Sequence, residues 1–253
     1  MLSKAKIKLI QSLEQKKKRR EERLFVAEGP KVVGDLLPYF SCRLLIAENT
    51  WIAQHPNVKA TEIIEVTNDE LRKASFLKTP QEVLAILELP DYSTPNEVVA
   101  NELCLALDDI QDPGNLGTII RIADWFGIRH IFCSIGTTDA YSPKTVQASM
   151  GAVARVQLHY VDLDKFLSST RTNYPDTPIY GTFLEGNNIY SEALSPNGII
   201  IMGNEGNGIG HATKELVTHK LFIPNYPVGC PTSESLNVAI ATAITCSEFR
   251  RRM

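Results

Sequence analysis

The chain has 253 residues, 43% of them hydrophobic and 22% charged, with a formal net charge of −3. This length suits two domains, and the composition excludes a disordered or fibrous protein. Five cysteines without a Cys-x-x-Cys pair argue against a disulfide framework and a zinc site, so a reducing cytoplasm is the expected location.

The amino-terminal segment is basic in an otherwise acidic chain. Residues 1–31 carry ten Lys or Arg against four Glu. Ser3 is predicted to cap a helix that runs to about Glu22 and carries the basic run Lys16, Lys17, Lys18, Arg19 and Arg20. Such a run is most often a solvated helix face, but it also fits attraction to a phosphate backbone. A transit peptide is disfavoured by the early glutamates, and no apolar run is long enough to cross a membrane.

Short apolar segments then alternate with helical patterns. Strands are predicted at 24–27, 44–47, 63–66 and 82–89, and helices at 30–37, 51–54 and 68–76. This pattern indicates a small α/β domain over residues 1–90. A polar stretch with two prolines follows and predicts a linker over 91–100.

A second alternation fills residues 101–253. Strands are predicted at 103–107, 131–134, 156–160, 179–183, 199–202 and 221–223, and helices at 116–126, 143–150, 163–170, 211–218 and 235–252. Apolar strands that alternate with helices are typical of a mostly parallel sheet covered on both faces. Ligands of such sheets bind at the carboxyl ends of the strands.

The first polar loop of this domain follows the strand at 103–107. Asp112 or Asn115 can cap the next helix, and Arg121 comes six residues after Asn115, close to two helical turns. An arginine in a mostly apolar helix requires an anionic partner or access to solvent. An ion pair with Asp124 or another nearby acidic residue is the structural alternative to a functional role.

The second polar loop follows the strand at 199–202. It contains four glycines within 203–210, which allow a ligand to approach the main chain, and Glu205 lies between them. The pattern is neither G-x-G-x-x-G nor a Walker A sequence, which disfavours dinucleotide and NTP sites. The histidines show no i, i+4 pair, so no metal site is expected.

The third polar loop, after the strand at 221–223, is rich in proline. Pro224, Pro227 and Pro231 prevent strand pairing, and Ser233 or Ser235 is predicted to cap the last helix. Free backbone N–H groups at such a helix start suit a carboxylate or a phosphate. An ordinary strand–loop–helix connection is the alternative, but the same arrangement occurs in all three loops.

Three motifs carry a resemblance to a known family. They are Asn115-x-Gly117-x-x-x-Arg121-x-Ala123, then Met202-Gly203-Asn204-Glu205-Gly206-x-Gly208, then Ile223-Pro224 with Ser235-Leu236-Asn237-Val238-Ala239. In order and type they resemble the SpoU (TrmH-like) RNA ribose 2′-O-methyltransferases of the SPOUT superfamily. Arg19-Arg20 and the Glu28-Gly29-Pro30 turn likewise resemble the family's RNA substrate-binding domain, which is related to L30e-like folds.

The resemblance implies an α/β domain with a deep trefoil knot, a homodimer, and methyl transfer from S-adenosylmethionine to a ribose 2′-hydroxyl of rRNA or tRNA, with rRNA favoured. By position, Arg121 matches the catalytic arginine. Its polar surroundings match Asn115, Glu205, Ser235 and Asn237. The cofactor contacts match Thr182, Gly203, Ile223 and Leu236, and the basic run at 16–20 matches the RNA-binding helix.

The chemistry suggests a role for each polar group. A ribose hydroxyl is a weak nucleophile, so Arg121, with an RNA phosphate, is expected to take or share its proton. Asn115 and Ser235 are expected to orient Arg121. Glu205 is expected to hold its loop and offset the sulfonium charge, and Asn237 to fix the start of the last helix. The loop over 226–232 is longer than is usual in the family, which affects the expected cofactor and nucleotide pockets.

Two other functions remain open at this stage. One is a non-catalytic RNA-binding or ribosome-assembly factor that keeps the fold, although Arg121, Glu205 and Asn237 argue against it. The other is an α/β enzyme for a small anionic metabolite, with the loop at 203–210 as an anion-binding nest. That function leaves the basic amino-terminal helix unexplained.

Overall fold

The computed structural model describes residues 2–227, 230 and 233–252. The chain forms two units: the first runs to Asp91 and also includes Asp139–Ala154, and the second contains Tyr92–Thr138 and the chain from Arg155 onward. The sequence placed the helix at 143–150 in the second domain, whereas the structure assigns it to the first unit. None of the helices built from described residues is long and apolar enough to cross a membrane.

The basic segment at the start forms two helices, α1 (Lys4–Ser12) and α2 (Lys16–Glu22), so the prediction of one continuous helix was wrong. Ser3 caps α1 as predicted, because its hydroxyl accepts a hydrogen bond from the Lys6 N–H. The break between the helices is fixed by Arg19, whose Nη1 donates to the carbonyl oxygens of Leu13 and Glu14 at 2.7 and 2.6 Å.

The first unit is built on a four-stranded sheet with the order β1-β4-β2-β3. Its strands are β1 (Leu24–Glu28), β2 (Cys42–Ala47), β3 (Ile63–Glu65) and β4 (Val83–Glu88). Its other helices are α3 (Pro30–Leu36), α4 (Asn49–Gln54) and α5 (Asn68–Ala74). Strand β4 is antiparallel to β1 and β2, while β2 and β3 are parallel. The central strands β4 and β2 are almost entirely buried, which explains their apolar sequences.

The segment Asp139–Ala154 contributes to the core of the first unit. It contains α7 (Pro143–Ser149) and a 3₁₀ turn at Ala152–Ala154. The ring of Tyr141 packs against Phe25 with a centroid distance of 5.0 Å, and Asp139 accepts a 2.6 Å ion-pair hydrogen bond from the buried Arg19. These two contacts explain why the segment groups with residues more than a hundred positions earlier.

The second unit contains a seven-stranded sheet with the order β7-β6-β5-β10-β8-β11-β9, and all of its pairs are parallel. Its strands are β5 (Leu103–Leu107), β6 (His130–Ser134), β7 (Gln157–Val161), β8 (Ile179–Phe183), β9 (Asn187–Asn188), β10 (Gly198–Met202) and β11 (His219–Phe222). Its helices are α6 (Pro113–Trp125), α8 (Leu163–Asn173), α9 (His211–Leu216) and α10 (Val238–Arg251), and a 3₁₀ turn at Asn96–Ala100 precedes β5. The predicted α/β class with a mostly parallel sheet is confirmed.

Three arginines fix the carboxyl end of α10. Arg250 donates to the carbonyl oxygens of Phe126 and Gly127 at the end of α6. Arg251 and Arg252 both donate to the buried carboxylate of Glu248, and these hydrogen bonds lower the pKa of Glu248 to about 2. Helix α10 is thereby held against α6, the helix that carries Asn115 and Arg121.

Candidate active site

Four loops of the second unit leave neighbouring strands at the same edge of the sheet. Strands β5, β10, β8 and β11 are adjacent in that order and parallel, so the chain leaves them at one carboxyl edge. Strands β6 and β7 lie on the other side of β5, which makes the β5–β10 junction a topological switch point. Open α/β sheets bind their ligands at such junctions.

The glycine-rich loop after β10 is closed by its own backbone. Asn204 and Gly208 exchange two backbone hydrogen bonds of 2.9 Å, and the Asn204 Oδ1 accepts from the N–H groups of Gly206 and Asn207. Gly203 is required at its position, because a Cβ there would lie 2.6 Å from the Gly208 carbonyl oxygen. The loop is also bound to the β5 loop, since the Asp108 carboxylate accepts from the Gly210 N–H at 2.8 Å.

Glu205 binds the start of α6. Its Oε1 accepts from the Asn115 Nδ2 at 3.0 Å and the Asp112 N–H at 3.2 Å, and its Oε2 accepts from the Gln111 N–H at 3.2 Å. Partial burial raises the pKa of Glu205, but the hydrogen bonds from Asn115 and the backbone outweigh this and hold the pKa below its ordinary value. Glu205 is therefore an ionised acceptor at neutral pH, as its expected role in holding the loop requires.

Asn115 and Asn237 join the first loop to the last helix. The Asn237 Nδ2 donates to the Asn115 Oδ1 at 3.0 Å, while the Asn237 Oδ1 accepts from the N–H groups of Ala239 and Ile240. Asn237 is therefore the N-cap of α10, and the prediction of Ser233 or Ser235 was wrong. At the start of α6, Asp112 is the cap, since its carboxylate accepts from the Asn115 N–H.

A cavity of about 940 Å³ lies beside this network. Its lining includes all four expected cofactor-binding residues, together with two residues of the expected polar surroundings: Thr182, Gly203, Glu205, Ile223, Ser235 and Leu236. The rest of the wall combines apolar side chains such as Phe183 with polar and charged ones such as Lys214 and Lys220, as in many small-molecule sites. Part of the long loop at 226–232 lies outside the described residues.

Arg121 is placed differently from the other expected site residues. It is exposed on α6, does not line the cavity, and forms no hydrogen bond or ion pair with any described residue. The expected contacts of Asn115 and Ser235 with Arg121 are absent from the described part of the chain, because the Asn115 amide is used by Glu205 and Asn237. The alternative ion pair with Asp124 is also wrong, since Asp124 pairs with Arg155 at 2.7 Å.

The basic run at 16–20 divides into two kinds of residue. Arg19 is buried, with a side-chain exposure of 3%, and pairs with Asp139, so its expected place on an RNA-binding surface is wrong. Arg20 and Lys17 are exposed, and Lys16 and Lys18 are partly so. No group of three or more metal-ligating side chains is arranged to hold a metal ion among the described residues.

The sequence reasoning missed several residues that shape the site, above all Asp109, Gln111 and Asn204. The Asn204 Nδ2 donates to the Asp109 carbonyl oxygen at 2.8 Å, and the Gln111 Nε2 donates to the Asp109 Oδ1 at 2.7 Å. The polar sequence directly after a fully apolar strand was the available signal for Asp109. Nothing in the sequence around Gln111 indicated its contacts.

A parallel sheet with a ligand-sized cavity at its carboxyl edge defines an α/β enzyme domain. Residues 102–247 match the model of the SpoU rRNA Methylase family, and residues 4–85 match that of the MRM3-like substrate binding domain. The chain belongs to the SpoU rRNA methylase family and is an RNA methyltransferase, as its motifs predicted.

Individual relatives agree with this assignment over their whole length. The 23S rRNA (guanosine(2553)-2′-O)-methyltransferase RlmP of Bacillus subtilis is 29% identical, covering 97% of this chain and 96% of its own. A putative TrmH-family RNA methyltransferase from Porphyromonas gingivalis has a similar structure, with a TM-score of 0.91, 41% identity and full coverage of both chains. An AdoMet-bound rRNA methyltransferase from Sinorhizobium meliloti has a TM-score of 0.85 and 31% identity, covering 100% of this chain and 97% of its own.

Proposed function

We propose that this protein transfers a methyl group from S-adenosylmethionine to a ribose 2′-hydroxyl of RNA, with rRNA favoured over tRNA. The observation that carries the proposal is the connection of Glu205, Asn115 and Asn237 beside the cavity. It joins residues of all three family motifs in one place. Two of the relatives named above, RlmP and the Sinorhizobium meliloti protein, are named as rRNA methyltransferases, which supports the choice of substrate.

The cavity fits S-adenosylmethionine. Its volume of about 940 Å³ lies within the usual range for small-molecule sites, and its wall combines apolar side chains with polar groups. Gly203, Ile223 and Leu236 would hold the cofactor mainly through their backbone, with Thr182 as a further contact. When bound, the cofactor supplies a methyl group on a sulfonium, which is already activated for transfer.

The residues of the chain prepare the nucleophile. The exposed guanidinium of Arg121, a permanent cation, is available to an RNA phosphate and to the 2′-hydroxyl, because no described side chain neutralises it. Its charge lowers the pKa of the 2′-hydroxyl and stabilises the developing alkoxide, while the hydroxyl proton passes to the RNA phosphate and solvent. Glu205 keeps the cofactor loop and the start of α6 together. Ser235, on the cavity wall, is free to contact the ribose.

The proposal includes a division of labour between the two units. The first unit binds RNA through Lys16, Lys17, Lys18 and Arg20, as an L30e-like substrate-binding domain over residues 1–90. The segment at 91–100 acts as the linker, and residues 101–253, apart from Asp139–Ala154 in the first unit, form the catalytic domain with the trefoil knot of its superfamily. The protein acts in the cytoplasm and needs no metal ion.

The protein is also proposed to act as a homodimer. Trp125 on α6 and Ile240 on α10 are 85% and 53% exposed, although both are large apolar residues on neighbouring helices. Such residues are enriched at the core of protein interfaces. A Trp125→Lys variant should shift the protein from dimer to monomer in light scattering. A wild-type protein that is monomeric at micromolar concentration would overturn this part of the proposal.

The central test uses Arg121→Ala and Arg121→Lys, with Arg129→Ala as a control at another exposed arginine of the same unit. Methyl incorporation into rRNA and affinity for S-adenosylmethionine are measured for each variant. Arg121→Ala should bind the cofactor normally and lose at least about 10²-fold in turnover, the loss expected on removal of a group that stabilises an oxyanion. Near-normal turnover of Arg121→Ala would refute its role, and a wild type that binds RNA but transfers no methyl group would favour a non-catalytic factor.

A further inference from the structure

Asp109 has an unusual backbone conformation at the mouth of the site. Its φ is 62°, in the left-handed region that residues other than glycine rarely occupy. Asp109 lies two residues after β5, between the strand and the loop that leads to Asn115. Such a conformation persists only where the surrounding structure holds it in place, and it is most often found at functional sites.

Contacts from the ends of two other strands, β6 and β10, and from its own loop hold Asp109 in this conformation. The Ser134 hydroxyl, at the end of β6, accepts from the Asp109 N–H at 2.9 Å. Asn204, after β10, donates to the Asp109 carbonyl oxygen at 2.8 Å. The Gln111 Nε2 donates both to the Asp109 Oδ1 at 2.7 Å and to the Gly136 carbonyl oxygen at 2.9 Å. Ser134 therefore holds the N–H of Asp109, Asn204 its carbonyl oxygen and Gln111 its carboxylate.

The conformation of Asp109 sets the direction of the chain that follows. Two N–H groups that follow Asp109 in the chain, those of Gln111 and Asp112, both donate to the Glu205 carboxylate at 3.2 Å. Glu205 in turn accepts from the Asn115 side chain. A different φ at Asp109 would turn these N–H groups away from Glu205.

We propose that Asp109 and Gln111 form a clasp that positions Glu205 and Asn115 for methyl transfer. The inference rests on the proposed function of the site. Both are positioning residues, because neither lines the cavity. The clasp acts on the rate of transfer more than on cofactor affinity, since three of the four proposed cofactor contacts, Thr182, Ile223 and Leu236, lie on other loops.

Gly136 offers an independent way to disturb the clasp. A Cβ on Gly136 would overlap the Asp109 Oδ1 and lie 3.3 Å from its Cγ. The backbone of Gly136 is not left-handed, so alanine is otherwise compatible with this position. Gly136→Ala therefore displaces the Asp109 carboxylate without removing any polar group from the site.

The test compares Asp109→Asn, Asp109→Gly and Gly136→Ala, with Gly34→Ala as a control, since a Cβ on Gly34 has no atom within 4 Å. Asparagine tolerates the left-handed conformation and keeps an Oδ1 acceptor, so Asp109→Asn should retain kcat within about threefold. Asp109→Gly keeps the conformation but loses the carboxylate. It and Gly136→Ala should lose about 10- to 100-fold in kcat, with the Kd for S-adenosylmethionine changed less than about threefold.

The double variant Asp109→Gly with Gly136→Ala gives the sharpest result. It should be no slower than Asp109→Gly alone, because the atom that the new methyl group would strike is gone. If the losses in kcat of the two single variants add up in the double variant, the clasp is overturned. It is also overturned if Asp109→Asn loses as much kcat as Asp109→Gly does.

Hydrogen–deuterium exchange provides a readout that does not require methyl transfer. The segments at 108–115 and 203–210 should exchange faster in Asp109→Gly and in Gly136→Ala than in the wild type or Asp109→Asn. If the two variants exchange faster but the wild type transfers no methyl group, the clasp is supported and the proposed function is refuted. Unchanged exchange in both variants would overturn the clasp even if the enzyme is active.

Discussion

The substitution Gly203→Ala tests how tightly the glycine-rich loop after β10 is closed. Gly203 directly follows β10, and a Cβ on it would lie 2.6 Å from the Gly208 carbonyl oxygen and closer still to Gly208 C and Ile209 N. These are backbone atoms, which have no rotamer to change. Because non-bonded atoms require a separation of about 3.5 Å, the Gly208–Ile209 peptide would have to move by roughly 1 Å.

The structure allows the cost of this movement to be worked out. Two backbone hydrogen bonds between Asn204 and Gly208 would break, each contributing about 1 kcal/mol net. Overpacking of a closed site adds about 1–3 kcal/mol. The sum of roughly 3–5 kcal/mol corresponds to a fall in Tm of about 10 °C for a chain of this size. The same loop lines the cavity, so affinity for S-adenosylmethionine should fall more than about tenfold, the equivalent of 1.4 kcal/mol.

Calorimetry measures both quantities in the same preparation. Gly206→Ala is the matched control, because the nearest atom to its Cβ is the Asn204 Oδ1 at an ordinary 3.6 Å. The control should melt within about 2 °C of the wild type, as surface changes usually do. If Gly203→Ala also melts within about 2 °C of the wild type and binds S-adenosylmethionine as tightly as the wild type does, the loop is not closed around Gly203 and the expected cost is refuted.

Three further predictions concern stability. The pKa of Glu248 is lowered to about 2, so its ionised carboxylate stabilises the folded protein fully above the unfolded-state pKa of about 4.3. This stabilisation is lost as the pH falls from about 4.3 towards 2, so the urea midpoints of wild type and Glu248→Gln should converge over that range. Asn237→Ala should lose about 1–2 kcal/mol of unfolding free energy, because it removes the N-cap of α10. Asn237→Ser should restore the cap and the stability but not the hydrogen bond to Asn115, so its activity in a methylation assay should stay below that of the wild type. Arg19→Leu should cost about 3–5 kcal/mol in urea unfolding, because it leaves Asp139 as an unpaired charge; a cost below 1 kcal/mol would contradict the importance of this buried pair.

The sequence was most informative where local chemistry decides the structure. Strands β5 and β8 have the predicted bounds, because continuous apolar runs between polar loops leave few alternatives. Strand β9 was missed because it consists of Asn187–Asn188, which has no apolar character. The order of polar loops after parallel strands was also sufficient to predict that distant segments meet at one edge of the sheet.

Long-range contacts explain the errors. The burial of Arg19 depends on Asp139, 120 residues later, which no local pattern of charges reveals. The start of α10 had three polar candidates within five residues, Ser233, Ser235 and Asn237. The third caps the helix because its amide oxygen accepts from the N–H groups of Ala239 and Ile240 while its amide nitrogen donates to Asn115.

The hydrogen bonds of Glu205 also narrow its chemical role. Three donors occupy its carboxylate, and the balance of burial and hydrogen bonding leaves its pKa below the ordinary value. A carboxylate with a lowered pKa is a poor general base for a ribose hydroxyl, and its lone pairs are already engaged. The proton must therefore leave by another route, which gives the exposed charge of Arg121 and an RNA phosphate their place in the proposed reaction. Glu205 instead carries negative charge beside the cavity, where it complements a cationic methyl donor.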